Sequence, residues 1–599
     1  MSNHILRIGV VVGALALAAV QAVMAAPVVH TERNNVHACL PLSGGRVLAG
    51  SRGGLALLDR RGAVRQAWAR QSGLPGTAVF ALLRRGAHVW VGTERGLARL
   101  TRGEGKLALD LTIPGPAVRD LVWRGGRLYA ATWKGAFSLQ EGTTRLTPLP
   151  AAGRKKAPRL TSVTAWGGGL VFGSAGEGLW RARRGTLRPV KASLPSPLVW
   201  SLARARDGRL LVGTLGGVVA LGRSGRAAAV SAMDARALLS RRRELLLGGY
   251  GQGIRRLVGG RQVSEPGQPT PAAYVNVLAR GHGVTCAGTR AGLWLRRGGA
   301  AFRRVALPGP PSNDISALAV QGKRLWVGTF DKGLASLSGG RWRTGGLRGD
   351  RLDGRINAMA VGRAAATTPR SLWVATSRGV FRVRSRRVKA FGVTHGLSHP
   401  EVHTVLALKK GGVLAGTARG AVIIRGEVVT ALGVKQGLPV ASVWAAAEHD
   451  DGTLWIGTSK GLYRWFPRAR RYERYSVSSG HLADDYVTAL VVHGGAVYAG
   501  TYNSGVSRLV SKAGKVEATQ LGGGWVNFGG LRVHAGALYA STMTGLRTLS
   551  LTSLMTPGAR RAWAERPLAA PGRDVTAAVP RAGGLWVASR RGLAFHRTW

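Results

Sequence analysis

Three observations predict an all-β fold of two seven-bladed β-propellers in tandem. One phrase recurs fourteen times along the chain: a short apolar run, Gly, Ala or Ser followed by Thr or Ser, a brief turn, then Gly and an apolar residue. Its clearest copies are Leu454-Trp455-Ile456-Gly457-Thr458-Ser459-Lys460-Gly461-Leu462 and Val89-Trp90-Val91-Gly92-Thr93-Glu94-Arg95-Gly96-Leu97. The spacing is regular: the Gly92 position returns from Gly50 to Ala588 at a mean of about 41 residues, the period of a four-stranded blade. Finally, the apolar runs are short, bounded by Gly and rich in Val, Ile, Trp and Tyr, which suits strands and not helices. The repeat fills nearly the whole chain and leaves little length for a separate catalytic domain.

Each repeat divides into four β-like segments. The first reads Val-x-Ala-Leu or close to it, as in Val79–Leu82, Val163–Trp166, Val199–Leu202, Ile315–Leu318 and Val487–Leu490. A Gly-rich or polar turn leads to the second, the Leu-Trp-Val-Gly-Thr run. That run is apolar on both faces, as a strand sandwiched between neighbouring blades should be. The Gly that follows permits a tight turn into the third segment, because Gly accepts positive φ without steric penalty. The fourth segment, such as Ala63–Trp68, is more polar and fits an outer edge. Trp90, Trp326, Trp373, Trp455 and Trp586 share one repeat position and are expected to pack between blades rather than hold a ligand.

Fourteen blades in one ring would leave a wide, unfilled centre, whereas seven lies within the usual range. The Pro-dense stretch Leu307-Pro308-Gly309-Pro310-Pro311-Ser312 marks the division. The expected organisation is a leader at 1–25, a first propeller at 26–307 and a second at 308–599. The third strand of the last blade, around Leu593–His596, is followed only by Arg597-Thr598-Trp599. The spare β-like segment Pro27-Val28-Val29-His30-Thr31 is expected to supply its fourth strand, because an unpaired edge is a liability.

The repeat resembles the two-component regulator propeller repeat. The residues carrying the resemblance are Gly437-Leu438-Pro439, Val443, Asp451-Gly452-Thr453-Leu454-Trp455-Ile456-Gly457-Thr458 and Gly461-Leu462. Gly73-Leu74-Pro75 before Val79 and Gly396-Leu397-Ser398 before Val402 repeat the pattern. The resemblance spans about residue 30 to residue 599. It implies paired propellers of the kind that serve as periplasmic sensors of hybrid histidine kinases, often for sugars or polysaccharide fragments. No kinase, receiver or immunoglobulin-like segment follows the repeats, so a sensor scaffold is expected, with a separate signalling or envelope protein as partner.

The N-terminus reads as a secretory signal. His4 and Arg7 precede the apolar run Ile8–Val20, and Val23-Met24-Ala25 supplies a cleavage site. The run is too short for an ordinary membrane span, and no second one follows, so a periplasmic or secreted mature chain without a transmembrane span is expected. The two cysteines, Cys39 and Cys286, fall on blades 1 and 7, neighbours where ring one closes. An oxidising compartment would allow a bridge. Both replace apolar core residues of the repeat, so buried free thiols are the expected state.

The net charge is +59, from 86 Lys and Arg against 27 Asp and Glu. Such a surface attracts polyanions, although no sequence-reading nucleic-acid motif is present. Arg154-Lys155-Lys156, Arg241-Arg242-Arg243 and the run from Arg468 to Arg471 read as solvated edges that discourage strand aggregation. No metal-ligand spacing, cofactor motif or catalytic constellation is found, and carboxylates are too scarce to assign a glycosidase pair. Asp450-x-Gly452-x-x-Trp455 resembles part of an Asp-box, itself a structural turn. The expected function is therefore non-catalytic, sensor-like binding of a carbohydrate or another polar or anionic ligand. The alternative is a carbohydrate-active propeller enzyme, a polysaccharide lyase or glycoside hydrolase.

Ring two is the expected binding site. The residues leading into its blades are Asp314, Arg355, Glu401, Ser442, Tyr486, Asn527 and Asp574, much more polar than Asn35, Ala78, Ala117, Ser162, Leu198, Asp234 and Tyr274 of ring one. Two longer turns carry Phe330-Asp331 and Tyr502-Asn503, and the lead-in loops hold His395, His399, Asp484 and Trp525. Aromatic rings beside hydrogen-bonding groups suit a sugar.

Overall fold

The computed structural model describes residues 28–597, except 104–105, 242–243, 269–273, 306, 345–346, 350–351, 353, 363–369, 433–437, 557–561 and 567–571. The leader expected at 1–25 lies outside the described residues. Among these residues the strands form fourteen sheets, which are the blades of two seven-bladed propellers. Each blade is an antiparallel meander, as blade 2 shows with Val79–Arg85, His88–Thr93, Gly96–Arg102 and Leu107–Pro114 in that order. Blade 9 gains a short fifth strand, Arg348–Gly349, parallel to Arg387–Phe391. The chain divides into two compact units. Ring one is Glu32–Gly309; ring two is Pro310–Trp599 with the N-terminal segment ending at Thr31.

The repeated Gly-Thr pair has a steric and a polar cause. A Cβ on Gly92 would lie 2.7 Å from Val118 of the next blade, and one on Gly50 would lie 2.5 Å from Val79. The glycine is thus the hole into which the first valine of the following blade inserts. At Gly288 that valine is Val36, which closes ring one from blade 7 back to blade 1. The threonine ties the turn: Thr93 Oγ1 donates to Gly96 O at 2.9 Å and accepts from Arg95 N at 3.2 Å. Gly96 itself sits at φ +125°, which glycine adopts at little strain and residues with a Cβ do not. The five in-register tryptophans are all buried, none more than 7 % exposed, between blades.

Each ring is locked where its first and last blades meet. In ring one, Val36, Cys39 and Val47 pack with Val284, Cys286 and Leu293. Cys39 and Cys286 are joined by a disulfide across 247 residues of sequence, not left as free thiols. The reason is closure: the ring brings two core positions of adjacent blades to a Cα separation of 6.4 Å, within bridging reach. In ring two, Ile315, Leu318 and Val327 pack with Trp586, Ala588 and Leu593. The outer strand of blade 14 is Val28–His30, antiparallel to Gly592–Arg597, with Val28 opposite Phe595 and His30 opposite Leu593. His30 stacks against Trp586 and accepts a 3.3 Å hydrogen bond from Trp342 of blade 8.

Candidate functional site

In six of the seven blades of ring two a backbone hydrogen bond draws the lead-in residue to the turn between strands two and three. Phe330 N donates to Asp314 O at 3.0 Å, Tyr502 N to Tyr486 O at 2.9 Å and Ala418 N to Glu401 O at 3.0 Å. Both sets of residues therefore crowd one mouth of the ring. The two longer turns show in the capping bond: Thr329 and Thr501 reach Gly333 and Gly505, four residues on instead of three.

One side of the ring-two mouth is polar. The Arg590 guanidinium donates to Asp574 at 3.0 Å and to Asp314 at 3.1 Å, and lies 4.3 Å above the Phe330 ring. Arg355 covers the same ring at 5.4 Å. Burial pushes the Asp314 carboxyl upward, and nearby Asp331 and Asp574 add to that against the pull of Arg590. Asn527 donates to Asp574 at 3.2 Å and to the Val575 carbonyl at 2.6 Å, so it ties blade 13 to blade 14.

The other side is an arc of aromatic rings on blades 10 to 13. His403 stacks on Trp444 at 3.8 Å, and Trp444 meets Phe528 at 4.6 Å. Tyr486 packs edge-on against Tyr502 at 5.2 Å, and Tyr502 lies 4.0 Å from Trp525. Phe528 is 44 % exposed. The ring nitrogens His403 Nε2, Trp444 Nε1 and Trp525 Nε1 are buried without a hydrogen-bond partner, as are those of the inter-blade Trp455 and Trp586. Behind the arc a central cavity of about 440 Å³ is lined by the inner strands, mostly by Ala, Leu and Val. Arg532 lies within it and donates to the carbonyls of Gly529 and Leu531 at 3.2 and 2.7 Å.

The other expected site residues divide. Asp484 accepts from Tyr486 N and Asn503 N, both at 2.9 Å, and so fixes the lead-in loop to the longer turn. His399 Nδ1 accepts from Glu401 N at 3.1 Å, and both residues lie electrostatically close to His403. His395 is not part of this assembly: it is exposed on the short 3-10 helix Val393–His395, 6.0 Å from Phe391 of the outer strand. Asp451, in the Asp-box-like turn, accepts from Thr453 N and from Arg464, a structural arrangement. In two blades the repeat register differs from the sequence-based alignment. Leu160 and Val526 fill the first-valine position, as their pairing with Ser174 and packing on Gly500 show, so Arg159 and Trp525 are the lead-in residues.

His403, Trp444, Phe528 and Arg590 belong to this mouth and were missed by the sequence reading. The signal for the first two was available. In four blades of ring two the residue after the first valine bonds the next blade, as Asn357 Nδ2 does to Val402 O and Thr576 Oγ1 to Ile315 O, each at 2.7 Å. An aromatic ring at that position cannot do so in the same way and turns to the mouth. Burial lowers the His403 pKa to about 4, helped by Arg355 and opposed by Glu401. Its folded value lies below the unfolded one, so the neutral imidazole favours the folded state above about pH 6.5, and this contribution is lost as the pH falls through about 4. An NMR titration of His403 is expected to show a midpoint near 4; a midpoint near the ordinary value would place the ring in water.

Comparison with known proteins agrees with the fold. Residues 437–460 match the family Two component regulator propeller. No curated protein matches the chain in sequence. Among solved structures, PorZ, a bacterial surface component of the type-IX secretion system of Porphyromonas gingivalis, is similar at TM-score 0.73 and 15% identity, over 96% of this chain and 87% of PorZ. A GH74 enzyme of Niastella koreensis is similar at TM-score 0.60 and 12% identity, over 95% of this chain and 98% of that one. The extracellular domain of the putative hybrid two component system BT4673 of B. thetaiotaomicron is matched at TM-score 0.42 and 15% identity, over 95% of this chain and 82% of that domain. Among the described residues no helix is long and apolar enough to cross a membrane.

Proposed function

We propose that this protein, built on the two component regulator propeller repeat, is a non-catalytic, sensor-like binding module acting outside the cytoplasm. The mouth of ring two takes a carbohydrate or another polar ligand. The observation that carries this reading is the aromatic arc from His403 to Trp525, set beside the Arg590, Asp314 and Asp574 cluster. Sugars present an apolar face and a rim of hydroxyls, and this mouth presents rings and a rim of donors and acceptors to match. The leader-like N-terminus supports the location, and the surface placement of PorZ agrees with it.

Glycan-array binding by the mature protein, scored together with product release, tests the reading. Binding without product is expected. Release of product would favour the lyase or hydrolase. Tyr502→Ala and Trp525→Ala are each expected to weaken binding by about 1–3 kcal/mol, the usual worth of a stacking ring, with thermal unfolding nearly unchanged. Loss of folding in both would make them core residues and remove the site.

A further inference from the structure

Ring one carries a second mouth of different chemistry. Its lead-in residues include Ala78, Ala117 and Leu198, but arginines and aromatic rings stand two residues further in and on several of its turns. Arg119 lies 4.0 Å over Phe80 and 5.2 Å over Trp133. Arg236 lies 4.2 Å over Trp200 and 5.4 Å over Tyr250, and Arg290 lies 4.3 Å over Tyr274. Tyr250 and Tyr274 are themselves in contact at 4.2 Å, and His37 meets Phe80 at 5.3 Å. Rings and guanidiniums thus alternate around one opening.

These cations are held in no ion pair among the described residues, although Asp234 acts on Arg236 from a distance. Among the described residues, the side chains of Arg52, Arg119, Arg236 and Arg290 make no ion pair and no hydrogen bond. This contrasts with Arg296, held by Glu244 and Glu265, and with Arg464, held by Asp451. Glu94, on the neighbouring turn, accepts from the Thr77 N–H at 3.2 Å and makes no ion pair with these arginines among the described residues. Asp234 acts on Arg236, and one of its oxygens is buried without a hydrogen-bond partner, as are His37 Nε2 and Trp200 Nε1. The four guanidiniums also act on shared neighbours. Burial, then Arg236 and Arg52, bring Arg119 down to about 10. Burial, then all four arginines, bring His37 down to about 3. Like charges gathered without a partner oppose folding, and an anion arriving among them removes that opposition.

We propose that the mouth of ring one is a second binding site, one that takes an acidic saccharide. The guanidinium edges hold its carboxylate or sulfate groups, and the exposed rings of Trp133 and Tyr250, 53% and 45% exposed, face its apolar side. Packing on a ring holds the guanidiniums of Arg119, Arg236 and Arg290 and leaves N–H groups free, which favours a planar or tetrahedral oxyanion over a diffuse electrostatic contact. A saccharide is favoured over a nucleic acid because the inner ring faces are already capped by guanidiniums and offer few platforms for successive bases. The choice of class rests also on the extracytoplasmic location proposed above.

The test is calorimetric titration of the full chain with an oligogalacturonate and with a heparin-derived oligosaccharide. Saturable binding is expected that weakens as salt rises. Arg119→Gln, Arg236→Gln and Arg290→Gln should each lower affinity on the order of tenfold, as loss of a charge-assisted bond does. Replacing Arg154, Lys155 and Lys156 by Gln should leave affinity unchanged, and so should Tyr502→Ala in ring two, which separates this site from the other. The Arg variants should unfold no earlier than the parent, and Arg119→Gln should raise the His37 titration midpoint, a readout that does not depend on ligand. Equal losses from every cationic substitution, wherever placed, would reduce the binding to net charge and overturn the site. Tighter binding of a single-stranded DNA oligomer through the same arginines would overturn the ligand class. An unmoved His37 midpoint would overturn the convergence of charge.

Discussion

Reducing the Cys39–Cys286 bridge is expected to unfold ring one at a much lower temperature while ring two keeps its transition. The bridge spans 247 residues, almost the whole of Glu32–Gly309. A cross-link acts largely on the unfolded chain, and in the chain-entropy view a loop of this length is worth about 5 kcal/mol. For a domain of this size that corresponds to a fall of about 10 °C or more. The double variant Cys39→Ala, Cys286→Ala should reproduce the fall, because small apolar residues leave the blade 1 to blade 7 packing of Val36, Val284 and Leu293 in place. Calorimetry with and without reductant reads the shift, and hydrogen exchange assigns it to a ring. Equal stability of the reduced and oxidised protein would mean that side-chain packing alone closes ring one.

Ring two should respond to a different cut. Deleting residues 26–31 removes the partner of Gly592–Arg597 and exposes its backbone edge, with Leu593 and Ala594 now fully buried beside it. It also removes His30 from between Trp586 and Trp342, the contact that spans blades 14 and 8. Three paired residues at about 0.5–1.5 kcal/mol per hydrogen bond, with the lost packing, give a destabilisation on the order of 3 kcal/mol. The deleted residues adjoin ring one in sequence, yet faster hydrogen exchange is expected in blades 14 and 8. Faster exchange in blade 1 instead would show that the segment serves the ring it precedes.

The fold was legible because one steric rule is written fourteen times. The small residue at Gly92 and its equivalents, the turn-capping Thr and the inserting Val are forced together by blade packing, so period and strand type appear in the sequence itself. The state of Cys39 and Cys286 was harder to read, since each looks like an ordinary core substitution and only ring closure makes them neighbours. The mouths were partly legible. Asp314, Asp574, Tyr486, Tyr502 and Trp525 could be named because they lead into strands or lengthen turns. Trp444 and His403 sit two residues deeper, in strands that read as core. Arg590 and the ring-one arginines were hidden by abundance: with 86 basic residues, position alone separates a convergent guanidinium from a solvated one. The register slip at Leu160 and Val526 had a similar origin, because a second apolar residue nearby fits the strand pattern equally well.

The pairing of Val28 with Phe595 also sets the order in which the molecule can be completed. The two residues leave the ribosome roughly half a minute to two minutes apart at about 5–20 residues per second. All of ring one emerges within that interval as one uninterrupted stretch and has every element it needs to close, its cross-link then waiting only on an oxidising compartment. Ring two does not: its first strand is made before everything else and must wait, unpaired, for its last. An extended apolar segment held open that long is a target for strand addition by other chains, so the wait is the period in which a holding chaperone would matter most for this protein.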